Sequence, residues 1–229
     1  MSEPDRRRIL RQAWSVGIAT GAYAVSFGAL AVAAGLDRWQ ASALSALMFT
    51  GGSQFAFVGI VGSGGSGLAA AAAATMLGLR NGLYGLQVSQ FLHHARGWRR
   101  LTAAQLTIDE STAVGIAQSS DRGARLGFWQ TGIAVFVLWN ALTVLGAVLG
   151  EQVGDPRRWG LDAAAAAAFI GLLWPRLRSR DAAATAALAV LVTVLVTPVA
   201  PTGVPVLVAA AAALVVGLRR ARPAPEGAP

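Results

Sequence analysis

The sequence predicts an all-α membrane protein, a polytopic helix bundle of seven to eight apolar segments with at least one broken or re-entrant helix. Hydrophobic residues make up 55% of the 229-residue chain and charged residues 13%, about half the charged share of a soluble domain. Several uncharged runs exceed the roughly 20 residues that a helix needs to cross a bilayer. Glycine and polar residues interrupt the longest run, which predicts the break.

The charges indicate how such a chain lies in a membrane. All 19 basic residues are arginine, the net charge is +8, and the arginines cluster at the chain ends and between apolar runs. By the positive-inside rule, both termini and the loop at 176–180 are cytoplasmic, and no nucleic-acid surface is expected. We expect one transmembrane domain over 1–229 in the cytoplasmic (inner) membrane, with a cytoplasmic N-tail at 1–12 and a disordered C-tail at 221–229.

The apolar segments can be taken in order. The first follows an arginine-rich start, as in a signal peptide, but its uncharged run of 25 residues, Gln12–Leu36, is too long for one, so we expect a retained helix. The last two segments form a hairpin through Pro198–Pro205, because proline ends helices on both sides. The eight segments are 14–36, 40–62, 66–92, 101–120, 126–150, 161–175, 182–200 and 203–218.

Eight simple crossings do not fit the arginine pattern. With a cytoplasmic N-terminus, strict alternation would place the arginines at 96–100 outside, against the positive-inside rule. The next segment, 101–120, also carries Asp109 and Glu110, which make it a poor lipid-facing span. One of the second to fourth segments is therefore predicted to be re-entrant or broken, and seven or eight segments stay open.

The clearest candidate for the break is FTGGSQF, Phe49–Phe55, inside 41 residues without an acid or a base, Trp39–Leu79. Its two glycines each cost a helix about 1 kcal/mol relative to alanine. Its serine and glutamine bring polar groups to a depth where lipid cannot satisfy them. Broken helices of this kind form substrate sites in secondary transporters, and a glycine–serine packing seam is the alternative. We favour the site, because glutamine is bulkier than a seam requires.

Charged residues at membrane depth are the second candidate feature. Arg80 and Asn81 interrupt the third segment with apolar residues on both sides, and an arginine there is normally paired or faces a cavity. Asp109 or Glu110 is the expected partner. Neighbouring positions on a helix point about 100° apart, so the two acids cannot both face one target. The alternatives are an Arg80 that reaches the membrane surface and acids in a solvated turn.

These motifs together resemble the AzlC family, the large subunit of bacterial branched-chain amino-acid exporters. The resemblance covers nearly the whole chain and departs from the family at Ala24–Ser26, where members usually carry a proline. It implies a membrane permease that works with a small hydrophobic AzlD-type membrane subunit. The matching stretches are SFGALAVAAGL (Ser26–Leu36), LMFTGGSQFAFVG (Leu47–Gly59), GLRNGLYG (Gly78–Gly85), LTIDES (Leu106–Ser111), GLDAAAAAAF (Gly160–Phe169) and PTGVPVLVAA (Pro201–Ala210).

A zwitterion with an aliphatic side chain needs donors for its carboxylate, an acceptor for its ammonium group and an apolar pocket. Helix ends at the break can offer N–H groups and a positive dipole to the carboxylate. One of the two acids can take the ammonium group or a coupling proton. The predicted substrate-binding residues are Gly51, Gly52, Ser53, Gln54, Phe49, Phe55 and Asn81, with Phe57 also lining the pocket; the predicted charge pair comes from Arg80, Asp109 and Glu110.

Other function classes have less support. We expect no enzyme and no cofactor. We also expect no metal site, because the adjacent His93 and His94 lack a third ligand at suitable spacing. A serine hydrolase would require Ser53 to pair with one of these histidines, which lie at a membrane edge. A channel or a structural membrane subunit is a further alternative, but Arg80 beside acids favours a transport pathway.

Overall fold

A computed structural model describes residues 2–153, 170, 173–174 and 177–220. Within these ranges the fold is all-helical, as predicted, with nine helices and no strand. Most of the predicted segment 161–175 and the whole predicted C-tail, 221–229, lie outside the described residues. The helices are α1 (Glu3–Ala33), α2 (Arg38–Leu47), α3 (Gly52–Gly62), α4 (Gly67–Leu92), α5 (Trp98–Gln105), α6 (Asp109–Ile116), α7 (Asp121–Val153), α8 (Arg180–Val196) and α9 (Val204–Arg220).

The long helices α1 and α7 pack against each other in parallel. A Cβ built on Gly17 would lie 2.7 Å from Ala134 Cβ, and one on Gly150 would lie 3.0 Å from Ala29 Cα, so the contacts advance together along both helices. By length and composition, these are the two described helices that could cross a membrane. We call the end where both helices begin the N-end, and the end where both finish the C-end.

The second predicted segment, 40–62, is a broken hairpin and not a continuous helix. α2 starts at the C-end, just after α1, and α3 returns there, because a Cβ built on Gly62 would lie 3.0 Å from Ala34 Cβ. The break spans residues 48–51, and Gly51 has φ of +61°. That left-handed conformation favours glycine. The predicted break at FTGGSQF is therefore confirmed.

The fourth predicted segment, 101–120, is a second broken hairpin, which enters from the opposite end. α4 finishes at the N-end, where Arg125 Nη1 donates to the Phe91 carbonyl at 3.2 Å. α5 and α6 are joined through 106–108, and Gln118, beyond α6, bonds to Gln12 of α1 at 3.4 Å. This hairpin therefore starts and ends at the N-end. Two of the eight predicted segments are hairpins and not one, and the total number of crossings stays a prediction.

The remaining helices are α4, α8 and α9. α4 runs from the C-end to the N-end between them. α8 and α9 form the predicted hairpin, whose turn lies beside the start of α4, since a Cβ on Gly203 would lie 2.9 Å from Ala69 Cβ. The core between α1, α3 and α7 is aromatic: Phe27 and Phe55 are fully buried and contact Trp139.

Candidate functional site

Gln54 holds the first break together. Its side chain is fully buried, and its amide oxygen accepts the Gly51 N–H at 3.1 Å. Its amide nitrogen donates to the carbonyls of Leu44 and Ser45, at 3.2 and 3.3 Å. One side chain thus bonds to backbone groups at the end of α2 and at the start of α3, and the Leu44 carbonyl also accepts the Met48 N–H at 3.0 Å. The described hydrogen bonds of Gln54, which is predicted to bind substrate, are made to the protein backbone.

Ser111 does the same at the second break. Its hydroxyl accepts the Ile108 N–H at 3.1 Å and donates to the Leu106 carbonyl that ends α5. The two hairpin tips meet, because Gln105 Nε2 donates to the Ala46 carbonyl at 2.8 Å. The first residues of α3 and α6 therefore lie in the interior of the bundle. Each helix N-terminus carries the equivalent of roughly half a positive charge, so both are suited to hold an anion.

Arg80 of α4 connects the two breaks. Its Nη2 donates to the Thr50 carbonyl of the first break at 3.2 Å and lies 3.1 Å from Asp109 Oδ2 at the start of α6. Both side chains are about one quarter exposed, at 28% and 25%. The expected ion pair is present, and its acid is Asp109. Glu110, the other candidate, follows at the next position of α6 and is half-buried.

Several buried polar atoms at the first break and on α4 make no hydrogen bond to any described residue. They are Thr50 Oγ1 and Ser53 Oγ at the break, and Arg80 Nε and Asn81 Oδ1 on α4. Ser53 is only 1% exposed. Leaving a buried polar group unpaired costs about 1–3 kcal/mol, so native proteins seldom collect such groups without a purpose. Such a cluster is typical of a site that binds a polar solute.

An apolar cavity of about 1080 Å³ opens beside Thr50 and Ser53, between α2, α3 and α4. Thr50 and Ser53 form its polar corner. The rest is mainly hydrophobic, which suits a hydrocarbon side chain. Its apolar walls include Leu36, Leu44, Leu47, Met48, Phe57, Val61 and Leu79.

Comparison with known proteins gives one family. The family described as AzlC protein matches residues 15–153, more than half of the chain. The chain belongs to the AzlC family. Searches of curated proteins and of solved structures found no match. The matched range contains both broken hairpins and α4, so the groups around Arg80 all lie within the family region. This AzlC protein is accordingly a membrane protein, in agreement with its two long apolar helices.

The aromatic residues of this AzlC protein divide between the cavity and the core. Phe57 lines the cavity, and its role in a substrate pocket stays a prediction. Phe49 instead packs on Phe136, with ring centroids 5.0 Å apart. Phe55 stacks on Tyr23 and borders a separate cavity of about 570 Å³ beside α8 and α9. The sequence showed that three phenylalanines flank the break, but the helix rotation that turns each one inward or outward was not visible in it.

Residues of α2 and α4 on the cavity wall were missed at the sequence level. Gly78 and Gly82 lie one helical turn apart on α4 and both line the cavity, as does Thr75. Thr75, Gly78 and Gly82 are spaced i, i+3, i+7, which places them on one face of α4, and this spacing was the available signal. Asn81, three residues after Gly78, lies near the same face and is half-buried.

The geometry separates the residues that a hydrolase would need. A Cβ built on Gly78 would lie 3.7 Å from Ser53 Oγ, so Ser53 lies beside that turn of α4. His93 follows α4 at its far end, about 22 Å further along at 1.5 Å per residue. Nucleophile and base must lie within hydrogen-bond reach. In this AzlC protein Ser53 therefore has no histidine base in His93.

Proposed function

We propose that this AzlC protein is a cytoplasmic-membrane permease that exports branched-chain, aliphatic amino acids, coupled to protons, together with a small AzlD-type membrane subunit. The observation that carries the proposal is the juxtaposition of two interior helix N-termini, Arg80 and unpaired polar atoms with a hydrophobic cavity of about 1080 Å³. Polar groups fix the common part of an amino acid, and the cavity accommodates the aliphatic part. Family membership supports the transport role, and the earlier resemblance supplies the substrate class and the partner.

The chemistry of the site matches each part of the solute. The first N–H groups of α3 and the Ser53 hydroxyl are donors that suit a carboxylate. Asp109 and Glu110, at the start of α6, carry the carboxylates that suit the ammonium group. Leu44, Phe57 and others form a hydrocarbon wall without charges. This combination favours a saturable carrier over a channel, because the solute would be held by several groups at once.

The test of substrate class is counterflow in proteoliposomes. The full-length chain, with and without the small subunit, is loaded with unlabelled leucine and supplied with labelled leucine, valine, lysine or glutamate. We expect saturable exchange of leucine and valine that requires the small subunit, and no exchange of lysine or glutamate. Flux that grows linearly with concentration would indicate a channel. No movement of aliphatic amino acids by the pair would overturn the substrate assignment.

The test of proton coupling uses Asp109→Asn and Glu110→Gln separately. If one acid carries the coupling proton, its amide variant should lose gradient-driven export and keep substrate exchange, because only the protonation cycle is lost. The other variant is the matched control, one position away on α6. Full gradient-driven export of leucine or valine by both variants would show that neither acid carries the proton.

A further inference from the structure

The two short helices that begin inside the bundle, α3 and α6, differ at their first residue; we call them half-helices. In each, a side chain at the third helical residue bonds back across the break, Gln54 in α3 and Ser111 in α6. The first helical residue of α6 is Asp109, whose carboxylate lies 3.1 Å from Arg80 Nη2. The first helical residue of α3 is Gly52, which has no side chain. Arg80 therefore faces a carboxylate from one half-helix and a glycine from the other.

A side chain at Gly52 would point at the same guanidinium group. A Cβ built there would lie 3.4 Å from Arg80 Nη2, 3.6 Å from Nη1 and 3.9 Å from Cζ. We propose that the carboxylate of the transported solute binds here, occupying at α3 the position that Asp109 occupies at α6, so that Arg80 binds two carboxylates at once. We call this binding position, between Gly52 and Arg80, the seat. The identity of the solute rests on the proposed function, and the seat rests on the geometry around Gly52.

Donors for a second carboxylate are present on Arg80 and beside it. The described polar contacts of Arg80 both use Nη2, while its Nε has no hydrogen-bond partner among the described residues. A guanidinium group carries further N–H donors in a planar fork and can bind carboxylates in pairs of bonds. Independently, Ser53 is 1% exposed, lines the cavity and has an Oγ without a described partner. Arg80 and Ser53, the residue next to Gly52, thus both carry donors that make no described hydrogen bond.

Gly52→Asp is the decisive variant, because it would supply the carboxylate from the protein itself. Gly52 is not among the glycines with positive φ, so an L-residue fits its backbone. An acidic residue in the first turn of a helix is stabilising, and the introduced carboxylate would also face Arg80. We therefore expect this variant to fold with a melting temperature at least equal to that of the wild type. Gly52→Ala is the matched control, since its methyl group carries no charge and is in ordinary contact with the guanidinium.

Binding is measured on the full-length chain in lipid nanodiscs, with leucine, leucinamide and 4-methylpentanoate as probes. We expect the wild type to bind leucine and not leucinamide, which lacks the carboxylate, and to bind 4-methylpentanoate more weakly than leucine. Gly52→Asp should bind leucine about 100-fold more weakly than the wild type, because the introduced carboxylate blocks a charge-assisted contact. Gly52→Ala should bind it less than about 10-fold more weakly, because its methyl group only displaces the solute slightly.

The outcomes separate the seat from the proposed function. Leucine binding by Gly52→Asp within about threefold of the wild type, or equal binding of leucine and leucinamide by the wild type, would overturn the seat. If the wild type binds 4-methylpentanoate but no amino acid, and Gly52→Asp does not, the seat stands and the proposed substrate is wrong. If the wild type binds none of the probes, the proposed function fails. In that case the melting temperatures still test the seat, and a value for Gly52→Asp several degrees below that of Gly52→Ala would overturn it.

Discussion

At the scale of single residues, Ser53 and Ser111 show how the same side chain serves two purposes. Both are buried, at 1% and 0% exposure, in the first turns of α3 and α6. Ser111 bonds to three backbone groups across the second break. The Ser53 hydroxyl has no partner among the described residues and lines the cavity. The first arrangement stabilises the fold, and the second keeps a donor available for a solute.

We predict opposite outcomes for the two alanine variants. Ser111→Ala strands backbone groups that were satisfied, so the free energy of unfolding should fall by about 1–3 kcal/mol. Ser53→Ala removes an unpaired hydroxyl, so stability should change by less than about 0.5 kcal/mol, while leucine affinity falls several-fold. Chemical unfolding of the purified chain and leucine binding measure the two effects. A Ser53→Ala variant as destabilised as Ser111→Ala would show that its hydroxyl is structural.

Arg80 offers a second comparison, with the more exposed pair of Arg38 and Glu151 as its control. Arg80→Ala removes the bond to Thr50 and the ion pair with Asp109, in a site that is one quarter exposed. We expect a loss of about 1–3 kcal/mol, between the values for buried and exposed pairs. Arg38→Ala removes a 3.6 Å contact with Glu151 whose side chains are 50% and 37% exposed, so its loss should stay below about 1 kcal/mol. Equal unfolding free energies for both variants would contradict this difference.

At the scale of helices, glycine decides how closely α1 and α7 approach. A Cβ built on Gly146 would overlap the Val25 carbonyl oxygen, and one on Gly28 would overlap the Thr143 carbonyl oxygen. The two backbones are therefore in direct contact, as small residues permit in membrane bundles. This pair forms a frame against which both hairpins pack.

Gly146→Ala should therefore separate the frame. We expect the free energy of unfolding to fall by about 3 kcal/mol, or the chain to fail to fold, because the added methyl group meets backbone and not a movable side chain. Gly59→Ala, in α3, is the control: a Cβ there meets nothing within 4 Å, and alanine improves helix propensity by up to about 1 kcal/mol. Thermal unfolding in detergent measures both. A Gly146→Ala variant as stable as the wild type would show that the frame can shift.

At the scale of the whole molecule, two re-entrant hairpins remove the conflict in the arginine pattern. For an N-end in the cytoplasm, we predict that α1 crosses outward, that the first hairpin returns outside and that α4 leads back inward. The arginines at 96–100 would then be cytoplasmic, as the positive-inside rule requires. We predict further that the second hairpin returns to the cytoplasm before α7 crosses outward. Strict alternation of eight segments had placed those arginines outside.

Cysteine labelling tests this arrangement directly, because the chain has no cysteine of its own. Single cysteines at Arg38 and Gly67, which flank the first hairpin, should both react with a membrane-impermeant maleimide from outside intact cells. Cysteines at His94 and Ser119, which flank the second, should react only after the membrane is opened. All four positions are exposed. Labelling of Arg38→Cys and Gly67→Cys from opposite sides would show that the first hairpin crosses the membrane.

The sequence by itself determined the protein class, the place of the first break and the short list of charged partners. Unpaired polar groups are costly in lipid. A long uncharged run with glycine, serine and glutamine in its middle therefore indicates a break without any structure. The backbone at position 51 has a positive φ, which favours glycine, and the double glycine indicates this in the local sequence. Arg80 and the two acids stand out because charges at that depth are costly.

Only the tertiary structure decided how these features meet. Asp109 forms an ion pair with Arg80, and Phe57 rather than Phe49 lines the cavity, because the rotation of each helix is set by its packing on other helices. The contact between hairpin tips, Gln105 on Ala46, joins residues 59 positions apart in the chain. Each hairpin returns to the end where it starts, as the contacts of Gly62 with Ala34 and of Gln118 with Gln12 show. Such long-range geometry leaves no local pattern in a single sequence, since it is determined by packing between distant segments.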